Sequence, residues 1–176
     1  HHQIIVIDNR FISERVNQIR NWNMEIVHGD ILDKDLVTKY FKDADIVHHL
    51  AGVTDVPRVK GESTKEKDDN IKLVGENGTQ NILDAISDKC KIVFPSTHVI
   101  YEGINKIKKE IKEDEESKPV LSYSLSKAVN EKQLKKSGKN YIILRLGSVY
   151  GYSTDTTRID IMPNLFSKIS SQNGTL

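Results

Sequence analysis

Several features that mark secreted, membrane-spanning or nucleic-acid-binding proteins are scarce in this sequence of 176 residues. Its one cysteine, Cys90, excludes an intramolecular disulfide and is typical of a protein from a reducing compartment. No apolar run approaches the roughly 20 residues that cross a bilayer as a helix. The 26 lysines and arginines are balanced by 25 aspartates and glutamates, so no strong field attracts nucleic acid or a membrane surface. We therefore expect a cytoplasmic protein whose partners are small molecules or a second copy of itself.

Short apolar runs predict strands. The first strand is predicted over Gln3–Asp8, where four consecutive β-branched residues, Ile4-Ile5-Val6-Ile7, indicate burial on both faces in a parallel sheet. Further strands are predicted over residues 24–28, 46–52, 91–94 and 140–146. The apolar spacing between them predicts a short helix within 9–22 and longer helices over 33–42, 69–87, 122–133 and about 161–169. The length is that of one domain with a single core.

The stretch Tyr123-Ser124-Leu125-Ser126-Lys127 is the strongest candidate for chemistry. Its phenol and ammonium are four residues apart, which places both on one face of the helix predicted from Ser122 to Gln133. The positive charge would lower the pKa of the phenol, which could then exchange protons near neutral pH. Either Ser122 or Ser124 is the predicted helix cap, and the predicted buried stripe is Leu125, Ala128, Val129 and Leu134. The alternative is an ordinary surface helix, because this spacing also arises by chance.

Three blocks, in this order, resemble the extended short-chain dehydrogenase/reductases, the NAD-dependent sugar-nucleotide epimerase/dehydratase group. Tyr-x-x-Ser-Lys followed by Glu131 is similar to the family's active-site helix. The run Phe94–Tyr101 is similar to its strand end with a catalytic Ser or Thr, and Leu144–Gly151 to the next strand and the loop that reaches the sugar nucleotide. The resemblance covers nearly the whole chain. It implies an α/β fold with a Rossmann-type doubly wound parallel sheet: a partial NAD(P)-binding domain over 1–176, with the substrate-binding region starting at about 151.

The resemblance also implies functional residues. A catalytic triad would consist of Thr97, Tyr123 and Lys127, and Thr97 and Ser148 would contact the sugar nucleotide. The implied cofactor contacts are Asp8, Asn9, Asp30, Ile31, Leu50, Ala51, Gly52, Ser96, Tyr123 and Lys127. An acidic residue that ends a strand, as Asp8 does, binds the adenosine ribose hydroxyls and repels a 2′-phosphate, which favours NAD over NADP. The nearby Arg10 weakens this preference, because an arginine can accept that phosphate.

The family's glycine-rich turn, which cradles the pyrophosphate after the first strand of the fold, is absent from the sequence. In the family's sheet this first strand lies between the strands that end here at Asp8 and Ala51, so without it these two strands would each lack a pairing partner on one side. Each backbone group left buried and unpaired would cost about 1–3 kcal/mol. We therefore expect a segment of a longer enzyme or a chain that recruits another strand, and poor dinucleotide binding by these residues alone.

Three departures from the family pattern bear on the site and its reaction. Relatives carry Asn-x-x-Gly-Thr where this chain has Gly75-Glu76-Asn77-Gly78-Thr79, so a polar group near the lysine is missing. Dehydratases continue their catalytic Thr with Asp-Glu, whereas this chain continues Thr97-His98-Val99, which disfavours dehydration. Relatives also usually show Asn where Ser148 stands, and a serine lacks the amide's donor and acceptor pair.

The predicted function is therefore an NAD-dependent epimerase of a nucleotide sugar, which could form a homodimer. Two alternatives remain: an NAD(P)-dependent reductase of a keto-sugar or other carbonyl, and a dinucleotide-binding protein without catalysis. No metal site is expected at His48-His49, because adjacent strand residues point to opposite faces. The mixed-charge run Lys106–Lys118 is predicted to be a solvated loop.

Overall fold

The computed structural model describes residues 2–53, 60–152, 159 and 161–172. Its strands are β1 (Ile5–Asp8), β2 (Glu25–His28), β3 (Ile46–His48), β4 (Lys91–Thr97) and β5 (Asn140–Leu146). Its α-helices are α1 (Ser13–Asn21), α2 (Lys34–Phe41), α3 (Lys65–Lys72), α4 (Gly78–Ala85), α5 (Ser122–Lys136) and α6 (Met162–Ser171). All strand pairs are parallel, in the orders β1-β2 and β3-β4-β5. The predicted α/β fold is confirmed, and part of the loop predicted between 53 and 67 lies outside the described residues.

The chain divides into two compact units, of which one comprises residues 30–146. Its central strand is β4, which pairs with β3 on one side and with β5 on the other, up to Thr97 opposite Leu146. The side chains of Ile92 and Phe94 are 0% and 1% exposed, because helices cover the sheet. Their core partners are Ile31, Val37, Val47, Ile82, Leu83, Ile86, Cys90 and Leu134. Since parallel strands end at one edge, this unit brings residues 49–52 and 96–97 to the same edge.

The other unit comprises residues 1–29 and 147–176. Its two-stranded sheet, β1 and β2, is accompanied by α1, whose Val16 and Ile19 are buried. The prediction that β1 is buried on both faces is wrong, since Ile4 and Ile5 are 45% and 37% exposed. The reason is that β1 pairs only with β2 in the described part of the chain. Within 2–53, 60–152 and 161–172, no helix has both the length and the hydropathy that crossing a membrane requires.

The helix predicted over 69–87 is interrupted. Helix α3 already begins at Lys65, and a π-helical turn, Leu73–Asn77, separates it from α4. Such a turn leaves backbone carbonyls without their usual helical donors. Side chains of α5 replace those donors: Asn130 Nδ2 donates to the Gly75 carbonyl at 3.0 Å, and Gln133 Nε2 donates to the Glu76 carbonyl at 3.0 Å.

Helix α5 buries polar side chains where an apolar stripe was predicted. Ala128 and Leu134 are buried as predicted, but Leu125 is 46% exposed. The buried positions also include Ser124, Ser126, Asn130 and Glu131. The prediction for Leu125 is wrong because the inward face of α5 carries groups that make hydrogen bonds to the rest of this unit.

Candidate active site

Glu102 fixes the start of α5, the helix of the tyrosine and lysine pair. Its Oε1 accepts hydrogen bonds from the backbone N–H groups of Val120 at 2.8 Å and Leu121 at 2.7 Å, and from the Ser124 hydroxyl. Backbone donors at the beginning of a helix lack intrahelical partners, and a carboxylate there also interacts favourably with the helix dipole. The predicted serine cap is wrong, because Leu121 is the N-cap residue and the oxygen comes from Glu102.

Tyr123 and Lys127 lie one helical turn apart on α5, as the spacing predicts. Lys127 Nζ is 5.8 Å from the centroid of the Tyr123 ring and 4.4 Å from that of the Phe94 ring. The ammonium donates a hydrogen bond to the Pro95 carbonyl at 2.9 Å. Burial lowers the pKa of Lys127 to about 8, because the ammonium has lost much of its water. At neutral pH a positive charge is therefore held beside the tyrosine ring.

A pocket adjoins this pair where the chain leaves β3. It is lined by Tyr123, Lys127 and Ser126 of α5, by Gly75 of the π-helical turn, and by the predicted cofactor contacts Leu50, Ala51 and Gly52. Gly75 leaves room for the Ser126 hydroxyl, since a Cβ at that position would lie 2.2 Å from Ser126 Oγ and would force this hydroxyl to another rotamer. The structure thus brings five of the predicted site residues to one pocket.

His49 also lines this pocket and was not predicted to take part. It is 3% exposed, and its Nε2 lies 2.9 Å from Thr79 Oγ1, whereas Nδ1 has no hydrogen-bond partner among the described residues. Burial, together with the nearby Lys127 charge, lowers the pKa of His49 to about 3, so the ring is neutral. Its neighbour His48 is exposed. In the described ranges, no three His, Cys, Asp or Glu side chains form a group that could hold a metal ion.

Thr97 and Ser96 end β4. Thr97 is 8% exposed, and its hydroxyl accepts a hydrogen bond from the Val99 N–H at 3.3 Å. Thr97 is not among the described residues that line the pocket. The Ser96 hydroxyl donates to Glu131 Oε1 at 2.7 Å and so binds α5. The triad role of Thr97 and the cofactor contact of Ser96 stay predictions.

Asp30 and Ile31 follow β2 and begin the unit of residues 30–146. Asp30 Oδ1 accepts a hydrogen bond from the Leu32 N–H at 2.9 Å, which shapes this turn. The Ile31 side chain is 6% exposed and packs over Gly78, where a Cβ would lie 2.2 Å from Ile31 Cδ1. Little of the side chain is left for an adenine ring. The structure gives Ile31 a role in the core, and the cofactor contacts of both residues stay predictions.

Asp8, Asn9 and Ser148 belong to the other unit. Asp8 Oδ2 is 2.9 Å from Arg15 NH1, and its Oδ1 accepts a hydrogen bond from the Arg10 N–H at 2.8 Å. The Arg15 guanidinium therefore offsets the negative charge on which the preference for NAD over NADP was argued. Ser148 is exposed in the segment after β5. The roles of these three residues stay predictions.

A buried network around Glu131 and Arg145 was missed. Arg145 NH2 donates to Glu131 Oε2 at 2.7 Å, and Arg145 Nε donates to Oε1 at 3.0 Å. Burial alone would raise the pKa of Glu131, but hydrogen bonds from Arg145 and Ser96 lower it below its ordinary value, so the carboxylate is ionised. The signal that could have revealed the network is an arginine within the otherwise apolar run Tyr141–Leu146.

Comparisons with known proteins show the family and the fold of this chain. The model of the NAD dependent epimerase/dehydratase family matches residues 1–175. The UDP-N-acetyl-alpha-D-glucosaminuronate decarboxylase of Bacillus cytotoxicus is 32% identical over 104 residues, which are 57% of this chain and 30% of that protein. The CDP-paratose 2-epimerase of Salmonella typhi is 31% identical over 93 residues, which are 49% of this chain and 25% of that protein.

Among solved structures, the enzyme WbmH of Bordetella bronchiseptica in complex with NAD+ is 25% identical, with a TM-score of 0.75. The match covers 98% of this chain and 55% of that one. The chain thus spans about half the length of this solved relative and less than a third of the two curated ones. The likeness confirms the predicted Rossmann-type fold.

Proposed function

The chain belongs to the NAD dependent epimerase/dehydratase family, and on this premise we propose that the protein is an NAD-dependent epimerase of a nucleotide sugar. The prediction of NAD as the family's cofactor is confirmed by the family match. The observation that best supports the proposed activity is the pair of Tyr123 and Lys127 beside the pocket, with Lys127 Nζ 5.8 Å from the tyrosine ring. A tyrosine next to a buried ammonium is suited to proton exchange with a hydroxyl group.

Two observations at the pocket support a contact with NAD there. Buried polar atoms without partners are rare and mark places where a ligand or water completes the hydrogen bonding, and His49 Nδ1 is such an atom. At Gly52 nothing among the described residues lies within 4 Å of a built Cβ, so the backbone is open to a close approach. The proposed contacts there are Leu50, Ala51, Gly52, Tyr123 and Lys127, and the proposal retains Asp8, Asn9, Asp30, Ile31 and Ser96. When bound, NAD supplies the hydride acceptor and donor.

In the proposed reaction, the phenolate oxygen of Tyr123 removes the proton from a sugar hydroxyl and later returns it. The Lys127 ammonium stabilises the phenolate electrostatically. The Thr97 hydroxyl orients the reacting sugar oxygen by a hydrogen bond, and Ser148 contacts the substrate. As the proton leaves the hydroxyl oxygen, the hydride on the same ring carbon would pass to the nicotinamide that NAD supplies. Epimerisation would then require that the resulting keto sugar presents its opposite face when the hydride returns to that carbon and the proton returns to the oxygen.

Two features support a nucleotide sugar and an epimerisation within this family. Two curated relatives carry a nucleotide-linked sugar in their names, with UDP in one and CDP in the other, whereas a third, from Arabidopsis thaliana, is a 3beta-hydroxysteroid-dehydrogenase/decarboxylase. The segment Thr97-His98-Val99 lacks the acidic pair of the dehydratases. We also propose that the substrate-binding region starts at about residue 151. We further propose that the protein is a cytoplasmic homodimer, and sedimentation velocity would measure the mass of the assembly.

Product analysis tests the activity. The full-length protein is incubated with NAD and a panel of UDP- and CDP-linked sugars, and the sugars are analysed by NMR with and without added NADH. An epimer formed without net change in NADH supports the proposal. A product formed only with stoichiometric NADH would identify a keto-sugar reductase instead. If the protein binds NAD tightly but converts none of the sugars in the panel, the result would contradict the proposal that it is an enzyme acting on these nucleotide sugars.

A further inference from the structure

We propose that Glu131 and Arg145 are positioning residues, which hold the strand end of Thr97 and the helix of Tyr123 and Lys127 in register. This inference rests on the proposed function, because it assigns a task within the same site. Neither residue is among the described residues that line the pocket. Their side chains are only 5% and 17% exposed, so they act on the site through the elements that they join.

On the helix side, Glu131 lies one turn after Lys127, so both side chains project from the same face of α5. That face lies on the end of β4. Lys127 donates to the Pro95 carbonyl at 2.9 Å, and Glu131 accepts from the Ser96 hydroxyl at 2.7 Å. Two successive turns of the helix are therefore bound to two successive residues of the strand, and a slide of α5 along β4 would break both hydrogen bonds.

On the sheet side, Glu131 binds β4 and β5 at residues that are paired with each other in the sheet. Ser96 of β4 and Arg145 of β5 are direct partners in the parallel register. Both donate to the same carboxylate, Arg145 through two nitrogens at 2.7 and 3.0 Å. Since Thr97 is the next residue of β4, the carboxylate fixes the strand end one residue before the proposed catalytic hydroxyl.

Arg145 also reaches the segment that leads into α5. Its NH1 donates to the Glu113 carbonyl at 2.7 Å and to the Tyr101 hydroxyl, which in turn donates to the Lys112 carbonyl at 3.3 Å. Arg145 and Tyr101 thus bind backbone carbonyls of the mixed-charge run that was predicted to be a solvated loop. Its side chains are largely in solvent, as Ile107, which is 99% exposed, illustrates. One guanidinium therefore connects β5, this segment and, through Glu131, the catalytic helix.

A positioning role can be separated from a structural one. Buried ion pairs can often be replaced by apolar side chains of similar volume without loss of stability, and methionine adapts to irregular space. The double variant Glu131→Met with Arg145→Met removes one charge of each sign and keeps the volume. It should therefore fold, while Ser96 loses its acceptor and α5 loses its register against β4.

The experiment compares the full-length wild type with this double variant and with a control, Lys108→Met with Glu115→Met, which removes an exposed ion pair from the segment before α5. The measurements are kcat, KM for the nucleotide sugar, NAD affinity, melting temperature and the pKa of Lys127 by NMR of 13Cε-labelled lysine. Burial lowers the pKa of Lys127 in the fold, and the other titratable side chains that line its pocket, among the described residues, are Tyr123 and the neutral His49. Ser96→Ala is tested in parallel, because it removes only one hydrogen bond and leaves the charges in place.

We expect the double variant to melt near the wild type and to keep KM and NAD affinity, but to lose about 100-fold in kcat, the usual effect of misplacing a reacting group by about 1 Å. The pKa of Lys127 should rise from about 8 towards its ordinary value as the ammonium gains water. Ser96→Ala should lose about tenfold in kcat, equivalent to one hydrogen bond. The control should match the wild type in every measurement.

Two results would overturn the inference. The first is a folded double variant with wild-type kcat, and the second is an unchanged pKa of Lys127 in that variant. If the wild type turns over no nucleotide sugar, the proposed function fails, but the Lys127 titration still decides whether the network positions the helix. If the double variant does not fold, Ser96→Ala decides: a wild-type kcat in it would overturn the proposal.

Discussion

Two pairs of a carboxylate and an arginine lie in different surroundings in this protein. Asp8 and Arg15 are 2.9 Å apart, and each side chain is 28% exposed. Glu131 and Arg145 are 2.7 Å apart, but their side chains are 5% and 17% exposed. A partly exposed pair such as Asp8 and Arg15 contributes less, because water and salt screen it, whereas removing one partner of a buried pair leaves an uncompensated charge. The difference teaches that burial, more than distance, decides how strongly the fold and site depend on a pair.

The largest effect is expected from Glu131→Gln. The substitution keeps the shape but leaves the Arg145 guanidinium buried without its counter-charge, which should lower the free energy of unfolding by about 4 kcal/mol. Equilibrium unfolding in urea measures the loss. A loss below about 1 kcal/mol would show that the buried pair stabilises the fold no more than the partly exposed pair of Asp8 and Arg15, and would remove the basis of the comparison.

The second prediction compares the two sheets with one kind of substitution. Ile92→Ala in β4 removes a side chain that is 0% exposed and should destabilise by about 2–5 kcal/mol. Ile5→Ala in β1 removes one that is 37% exposed and should cost less than half as much. Urea unfolding of both variants is the measurement. Equal losses would show that β1 is as closely packed as β4 and would contradict the exposure of the two-stranded sheet.

The third prediction concerns His49 and pH. Its pKa is about 3 in the fold against 6.5 for a free histidine, so below pH 6.5 the unfolded chain binds more protons and stability falls as the pH falls. Between pH 7 and pH 5 this residue should remove about 2 kcal/mol of stability. His49→Gln cannot titrate and should lose less on acidification than the wild type. Identical pH dependence of urea unfolding in the two proteins would show that His49 is not buried as a neutral ring.

The smallest effect is expected from Asp8→Asn in the partly exposed pair. Removing the Asp8 charge should lower the free energy of unfolding by less than about 1 kcal/mol, and this difference from the wild type should vanish in high salt. Parallel unfolding curves at low and high ionic strength provide the measurement. A cost that is large and independent of salt would show that this pair, too, is buried.

The sequence was sufficient to predict the elements whose patterns are local. The run Ile4–Ile7 identified a strand, and the spacing of Tyr123 and Lys127 identified one helical face, because each depends on residues a few positions apart. The small residues after β3 line the pocket beside Tyr123 and Lys127, and their predicted contact with the cofactor stays a prediction. In each case the period of the element is visible in the residues themselves.

The remaining features depend on contacts between distant parts of the chain. Glu102 binds the start of α5 from 18 and 19 residues away, and Glu131 meets Ser96 over 35 residues. The π-helical turn around Gly75 depends on a donor from Asn130, 55 residues away. Propensity and periodicity describe neighbours along the chain, so they could not show these hydrogen bonds. Periodicity also predicted Leu125 to be buried, because it cannot show that the buried face of a helix carries polar side chains with hydrogen-bond partners elsewhere in the fold.

The central claim is that the Tyr123 oxygen exchanges a proton with the substrate. Tyr123→Phe in the full-length protein removes that oxygen and keeps the ring beside Lys127. With the nucleotide sugar that the wild type converts, we predict that kcat falls by at least about 100-fold, the lower end of the contribution of a general acid or base, while NAD binding measured by calorimetry stays within about twofold because the ring and Lys127 remain. A phenylalanine variant that keeps wild-type turnover would contradict the account.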